Sequence, residues 1–460
     1  MMNNSFEQIR NLTKIHFIGI GGSGMYGIAE VLLNLGCSVS GSDVAKSTIT
    51  RRLKSLGVKI YSNHHISNLK NVDLVVYSNA IKKNNPELKF AENKKITTIP
   101  RAKMLAELMR FKYGIAVAGS HGKSTTTSLI SWILAECQLD PTYIVGGKLK
   151  KSSNHGRLGH GKYLIAEADE SDSSFLFLNP QLGVVTNIDN EHLDNYQNNF
   201  ENLKNAYVSY INNIPFYGRV FLNGDDRNTK SIIKKVNRAI TTFGLEKNNN
   251  YFPSNITYHD NGMSFLINHN NQTCKVKTKI FGNHNVLNVL AAFSVALYLK
   301  APIKKIIKAI NNFEGISRRF DIYKKFKSKL GEHILINDYG HHPTEIGFTV
   351  ETIKEIWKKQ KICMIFQPHR YSRTENCIKQ FIEVFSNIDK IIITETYSGG
   401  EKKTRFTAFY LFKKLREKGI NCEYVKDIKK IPMKLKSFFS EGDIVLVQGA
   451  GNISQVIKLL

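Results

Sequence analysis

Paired cysteines are missing from this sequence. Its six cysteines are scattered without any C-x-x-C spacing, which argues against a disulfide framework or a zinc site and for a reduced setting. Long hydrophobic runs are missing too. No apolar stretch reaches the ~20 residues that cross a bilayer, and the polar opening, residues 1–10, has no signal-peptide order. The expectation is a cytoplasmic protein without membrane insertion. No Pro/Gly/Ser-rich linker, low-complexity tract or solenoid repeat is visible, so joints between domains are expected to be short. An aromatic–basic RNA-binding signature is absent as well.

Acidic residues are few beside basic ones, 38 against 65, giving a formal net charge of +27. The basic residues are dispersed, as in Lys150-Lys151 and Lys402-Lys403, rather than gathered in a tail, and read as solvated faces. Such a field attracts polyanionic nucleotides as readily as nucleic acid. On charge alone, a non-catalytic nucleotide- or RNA-binding protein stays open beside a nucleotide-using enzyme.

What is present is an alternation of apolar strand, glycine turn and amphipathic helix, the pattern of α/β domains with mostly parallel sheets. Over 460 residues three blocks are expected, 1–110, 111–320 and 321–460. The middle block carries a strand-rich patch with Asn248-Asn-Asn250 and Asn268-His-Asn-Asn271 as loop tips.

Two glycine-rich turns carry chemistry. Gly19-Ile20-Gly21-Gly22-Ser23-Gly24 fits G-x-G-x-x-G between a strand and a helix. Glycines there allow a tight bend and close backbone approach to a diphosphate at a helix N-terminus. Asp43, after the second strand, stands where an acidic residue meets a ribose hydroxyl. Taken alone, the turn reads as a dinucleotide site. The second turn, Gly119-Ser120-His121-Gly122-Lys123-Ser124-Thr125, resembles a P-loop, with Val117 in place of its first glycine. Backbone N–H groups would cradle phosphates, Lys123 would neutralise them, and the Ser124 hydroxyl would hold Mg²⁺. One nucleotide would be consumed, and the other would be a handle on the substrate.

The strand ending at Glu167 leads into Ala168-Asp169-Glu170-Ser171-Asp172. A carboxylate at a strand end near a P-loop suits a phosphate-bound metal. His192 follows the next strand in an Asp/Glu-rich stretch. Imidazole is an uncommon Mg²⁺ ligand, so the residues themselves favour Glu167 over His192.

With these stretches in order, and with GNHNVLN, GISRRFD, NDYGHHPTEI, FQPHRYSRT and QGAGNIS further on, the chain resembles the Mur ligases over essentially its whole length. The resemblance implies a Rossmann-like N-terminal domain, a central P-loop ATPase-like parallel sheet and a Rossmann-like C-terminal domain. It implies ATP and Mg²⁺, with L-alanine joined to UDP-N-acetylmuramate through an acyl phosphate. A monomer or weak dimer without nucleic acid is expected. A sister activity, attaching a preformed tripeptide to the same sugar nucleotide, is the nearest rival.

Gly19, Gly21, Gly22, Ser23, Gly24, Asp43 and Ser78 then fall on the sugar nucleotide, and the P-loop residues on ATP. Ser124, Glu167 and His192 fall at metal positions. Arg319 would reach ATP phosphate, Asn283 or His284 adenine, and Asp338 the nucleotide from the third domain. Lys123, His192 and Arg319 would be catalytic. His342 is a candidate proton acceptor by type, and a buried structural histidine is the alternative. His369, Arg370 and Arg373 follow a strand, and guanidinium matches carboxylate, so the three are expected to hold alanine. His341, His342 and Tyr339 are the alternatives.

Overall fold

The computed structural model describes residues 14–45, 47–146, 156–328, 331–439 and 442–460. Chain contacts divide it into two compact units, residues 1–257, 263–279 and 285–316 in the first, and 258–262, 280–284 and 317–460 in the second.

The first unit holds two parallel sheets. The N-terminal one has strands β1 (Lys14–Ile18), β2 (Ser38–Ser42), β3 (Lys59–Tyr61), β4 (Leu74–Tyr77) and β5 (Thr97–Pro100), in the order β3-β2-β1-β4-β5. Neighbouring strands pair in parallel. The chain leaves β1 toward β2 on one side and later returns to β4 on the other. The glycine turn after β1 thus sits at a topological switch point, where open α/β sheets bind ligands.

The second sheet has β6 (Tyr113–Ala118), β7 (Thr142–Ile144), β8 (Gly156–Arg157), β9 (Tyr163–Glu167), β10 (Leu182–Val185), β11 (Arg219–Asn223) and β12 (Ala239–Phe243), in the order β12-β11-β10-β6-β9-β7-β8. Only the β7–β8 pair is antiparallel. β6 and β10 are buried almost end to end, as expected for parallel strands covered on both faces. Helix Lys123–Glu136 follows β6. Two of its buried hydroxyls are satisfied one turn back, Thr127 donating to the Lys123 carbonyl and Ser131 to that of Thr127, and Thr126 donates to Asn288, which helps a Ser/Thr-rich helix lie in the core.

The strand-rich patch is a meander of β13 (Phe252–His259), β14 (Gly262–His269) and β15 (Gln272–Thr278). The β14–β15 turn is made by Asn270 and Asn271, both at positive φ, which asparagine tolerates.

The second unit is built on β16 (Asp321–Ser328), β17 (Gly331–Asp338), β18 (Ile362–Phe366), β19 (Lys390–Ile393), β20 (Cys422–Tyr424) and β21 (Ile444–Gln448), in the order β16-β17-β21-β18-β19-β20. All but the β16 edge run parallel. Alternate residues feed two cores: Ile362, Met364 and Phe366 face one, Cys363 and Ile365 the other. The expected α/β class with predominantly parallel sheets holds. Residues 280–284 cluster with the second unit, so Asn283 and His284 are described there and not with the P-loop.

Candidate active site

At the first glycine turn, Gly19 has φ +81°, a conformation glycine adopts without strain. The N–H groups of Gly19 and Ile20 donate to the Ser42 carbonyl, 2.8 and 3.2 Å. Asp43 accepts the Gly21 N–H on Oδ2 and the Ala45 N–H on Oδ1, both 2.8 Å. The carboxylate expected to meet a ribose is therefore first a brace for the turn. A Cβ on Gly21 would stand 2.8 Å from Asp43 Oδ2, so this glycine answers to Asp43 as well as to any diphosphate. Ser78 adjoins Gly19, where an added Cβ would meet it at 3.2 Å. Gly22 precedes helix Ser23–Asn34 as its N-cap. The Ser23 side chain lies outside the described residues.

At the second turn, Gly119 (φ +134°) and Gly122 (φ +83°) take conformations suited to glycine. A Cβ at Gly122 would come 2.6 Å from Asn288 Oδ1. Asn288 also accepts the Thr126 hydroxyl (3.0 Å) and donates to Asn285 (2.9 Å). The loop is anchored to the segment after β10: His121 N–H donates to Asn187 (2.9 Å), and Asp189 N–H donates to the Ser120 hydroxyl (2.8 Å). The His121 ring pairs with Asp189 (3.2 Å) and Glu191 (3.6 Å).

Lys123 donates to the carbonyls of Gly119 and Ser120 and to both oxygens of Glu170, 2.7 and 2.9 Å. Glu167 and Asp169 add further negative charge around it. Burial alone would favour the neutral amine, but Glu170, Asp169 and Glu167 hold Lys123 above the ordinary lysine value. Burial pushes the Glu170 carboxyl up to about 7 against the pull of Lys123, with Asp169 adding to the rise. An excess of carboxylates over cations raises proton affinity on both partners. Glu167 is likewise raised by burial, against the Gly146 N–H, the Ser124 hydroxyl and Lys123. Two of the expected metal ligands, Ser124 and Glu167, are thus neighbours, close enough for the hydroxyl to favour the ionised carboxylate. The third, His192, has φ +57° and pairs with Glu191 at 3.4 Å.

In the second unit, Asp338 is buried and its carboxylate accepts from Phe320 N–H (2.9 Å), Gly340 N–H (2.7 Å) and Gln448 (3.0 Å). Burial raises its proton affinity despite Arg319. This is an internal junction, so a nucleotide contact would have to share oxygens already bonded. Arg319 pairs with Glu345 (3.1 Å) and lies over Tyr339 (5.1 Å). Arg318 lies over the same ring and donates to the Gly449 and Gly451 carbonyls. Asn283 is exposed, and His284 stacks on Phe348 at 5.5 Å. His342 is the N-cap of helix Pro343–Ile356: its Nδ1 accepts from Thr344, and Nε2 lies 3.5 Å from Cys377 Sγ. That pattern is the structural alternative to a proton acceptor.

His369 is gripped by neighbours: Arg373 Nη1 is 3.3 Å from its Nδ1, His341 meets it edge-on at 5.1 Å, and Tyr397 stacks on it at 5.5 Å. Burial first, then the two arginines, push it down to about 4. Arg370 itself has φ +69° and lies beside Gly399, whose added Cβ would meet its Cγ at 3.0 Å. The neutral imidazole and paired guanidinium groups make an anion-favouring corner.

Sequence reasoning passed over Glu170, Asn288 and Arg101. Glu170 was in view only as one of an acidic run. Arg101 packs on the first glycine turn, 2.7 Å from where a Gly24 Cβ would be, and pairs with Asp169 (3.6 Å) and Asp172 (4.0 Å). It opens a helix after β5 and has no motif around it.

Comparison with known proteins fits this arrangement. The Mur ligase family catalytic domain matches residues 14–113, the Mur ligase middle domain 117–296, and the Mur ligase glutamate ligase domain 318–451. The UDP-N-acetylmuramate–L-alanine ligase of Methylobacillus flagellatus is 44% identical over 448 residues, 96% of this chain and 94% of its own length. The chain belongs to the Mur ligase family. A second relative of the same name, from Wigglesworthia glossinidia brevipalpis, is 41% identical over 100% of this chain and 99% of its own length. The crystal structure of the UDP-N-acetylmuramate–alanine ligase of Thermotoga maritima superposes with a TM-score of 0.81 at 27% identity, covering 97% of each chain. A murein peptide ligase from Psychrobacter arcticus shares the fold, with a TM-score of 0.70 at 22% identity. As a Mur ligase the protein is an ATP-dependent enzyme that forms an amide bond.

Proposed function

We propose that this Mur ligase joins L-alanine to the lactyl carboxylate of UDP-N-acetylmuramate, in the cytoplasm, as a step of peptidoglycan precursor synthesis. The observation that carries this reading is the end-to-end likeness to ligases of that name, 44% identity over 96% of the chain, with both glycine turns in place.

The substrate carboxylate attacks the γ-phosphorus of ATP, and ADP departs, leaving an acyl phosphate. The alanine amine attacks the acyl carbon. The tetrahedral adduct expels phosphate, and the ammonium proton is lost. The backbone of residues 119–123 receives the triphosphate, and Lys123 trades contact with Glu170 for a phosphate oxygen, supplying charge where it develops. The first glycine turn, braced by Asp43, receives the diphosphate of the sugar nucleotide. Ser124 and Glu167 are oxygen donors already side by side, a set suited to Mg²⁺, and His192 is assigned beside them. Bound there, Mg²⁺ would neutralise phosphate charge. Arg319 is assigned to ATP phosphate, and Asn283 or His284 to adenine. Arg370 and Arg373 hold the alanine carboxylate, with His369 beside them.

The test is ATP hydrolysis by purified protein with Mg²⁺ and UDP-N-acetylmuramate, run against a panel of amino acids and the tripeptide. Turnover with L-alanine is expected to exceed all others. Preference for the tripeptide, or ATP turnover indifferent to the sugar nucleotide, would overturn the reading.

A further inference from the structure

A cavity of about 400 Å³ opens at the carboxyl ends of four parallel strands of the second unit. Gln367 follows β18, Thr396 follows β19, Lys426 follows β20 and Asn452 follows β21, and all four line it. This is the edge at which an open α/β sheet takes ligands. Tyr397 and Ser398 complete the near wall.

The lining is polar and internally ordered. Gln367 donates to Asn452 at 2.9 Å, and the Glu395 carboxylate accepts from the Tyr424 hydroxyl at 3.1 Å. Lys426 and Asp427 also line it. Hydroxyls, amides and both charge signs together suit a neutral polar group better than an alkyl chain or an isolated ion.

Tyr397 is shared by this cavity and the corner made by His369, Arg370 and Arg373. Tyr397 lines the cavity, and its ring stacks on the His369 imidazole, with centroids 5.5 Å apart and planes 11° apart. The backbone fixes it there. Tyr397 N–H donates to the Pro368 carbonyl, and its own carbonyl accepts the Arg370 N–H, 2.9 and 2.8 Å. Gly451 leaves room for it, since a Cβ there would come 2.8 Å from Tyr397 Cβ. Tyr397 keeps 43% of its surface exposed, so the stack on His369 and the Gly451 backbone, rather than burial, orient the ring.

We propose that Tyr397 is a specificity-determining residue, a wall that holds the amino-acid site to a methyl-sized side chain by closing it off from the polar cavity behind. The inference rests on the alanine site proposed above. Removing the ring joins the cavity to the site and admits a longer, neutral polar side chain.

The experiment measures kcat/KM of wild type and Tyr397→Ala with L-alanine, L-glutamine and L-leucine. Glutamine relative to alanine should rise at least about ten-fold in the variant, the scale on which pocket size discriminates, with a smaller rise for leucine. Tyr397→Leu, which keeps apolar packing on His369, is run beside it, and either variant retaining the wild-type KM for ATP serves as the test. Tyr397→Phe keeps the ring and should go on excluding glutamine. Unaltered selectivity in the ring-deleted variants overturns the wall. Equal gains for leucine overturn the polar character assigned to the cavity, and a gain in Tyr397→Phe overturns the role of the ring. Wild-type protein that ignores L-alanine overturns the underlying reading as well, whereas normal use of L-alanine with unaltered selectivity overturns this inference alone.

Discussion

Three N–H donors of Lys123 face four acceptors, two loop carbonyls and the two oxygens of Glu170. A phosphate can gain this ammonium only by displacing one of them, and Glu170 is the exchangeable partner because the carbonyls belong to the loop itself. Lys123→Ala should lower kcat by about 10²-fold or more, the scale seen when a transition-state charge partner is removed. Calorimetric affinity for UDP-N-acetylmuramate should stay within about two-fold, because distant sites act independently. A variant with wild-type turnover would remove Lys123 from the chemistry. At the other corner, Arg370 carries φ +69°, a cost of order 1–3 kcal/mol for a non-glycine residue that the surrounding fold must impose. Arg370→Lys keeps the charge and loses the planar fork. The KM for alanine should rise on the order of ten-fold or more while that for ATP holds. Steady-state kinetics with each substrate varied in turn will decide it.

At the scale of elements, β2 works as a relay. Its last residue, Ser42, offers its carbonyl to the first glycine turn and its hydroxyl to the buried carboxylate of Glu87 at 2.5 Å. Glu87 also meets Asn68 (2.7 Å), His64 (3.0 Å) and His16 (3.4 Å). Burial would raise this carboxyl, but His16, Ser42 and Asn68 overcome it and bring it down from 4.5 to about 2. Because the folded value lies below the unfolded one, the stability it contributes is present above about pH 4.5 and fades as pH falls toward about 2. A shift of that size is worth roughly 3 kcal/mol. Thermal melts of Glu87→Gln should therefore fall well below wild type near pH 7, with the gap narrowing below about pH 4.5 and closing only near about pH 2. A gap that stays constant across that range would count against the linkage.

The sheets were readable in the sequence because parallel strands must be apolar on both faces, as in β6 and β21, and because each glycine turn holds glycine at φ values other residues avoid. The placement of Lys123 at a helix start after the second glycine turn and of Glu167 at a strand end was readable for the same local reason. Glu170 as the partner of Lys123, Asn288 over Gly122 and Arg101 against Gly24 were not, since each joins residues 47, 166 and 77 positions apart through side chains that no local periodicity constrains. His342 illustrates the converse: Thr344 and Glu345 downstream complete a capping box, a signal that was present in the sequence and points to structure before chemistry.

At the scale of the whole molecule, the second unit is discontinuous in sequence. Phe281 packs against Phe320 at 5.9 Å, and His284 stacks on Phe348 at 5.5 Å, while Tyr258 packs on the same core, so the early segments 258–262 and 280–284 complete a core that otherwise begins at residue 317. Phe281→Ala should cost about 3 kcal/mol or more, as expected for a buried aromatic. Hydrogen exchange is expected to quicken across β17, β18 and β21 while β6 and β10 keep their protection. Loosening confined to β6 and β10 would contradict this division.

That discontinuity also sets a timetable during translation. The ribosome delivers residues 258–262 and 280–284 well before Phe320, Phe348 and the strands they complete. A nascent chain that has reached residue 316 can already bring together every segment of the first unit, yet it carries Phe281 and His284 with nothing of their own core to pack on. The enzyme's last folding event is therefore scheduled by its final third, and a pause or truncation there strands apolar side chains that belong to a unit not yet made.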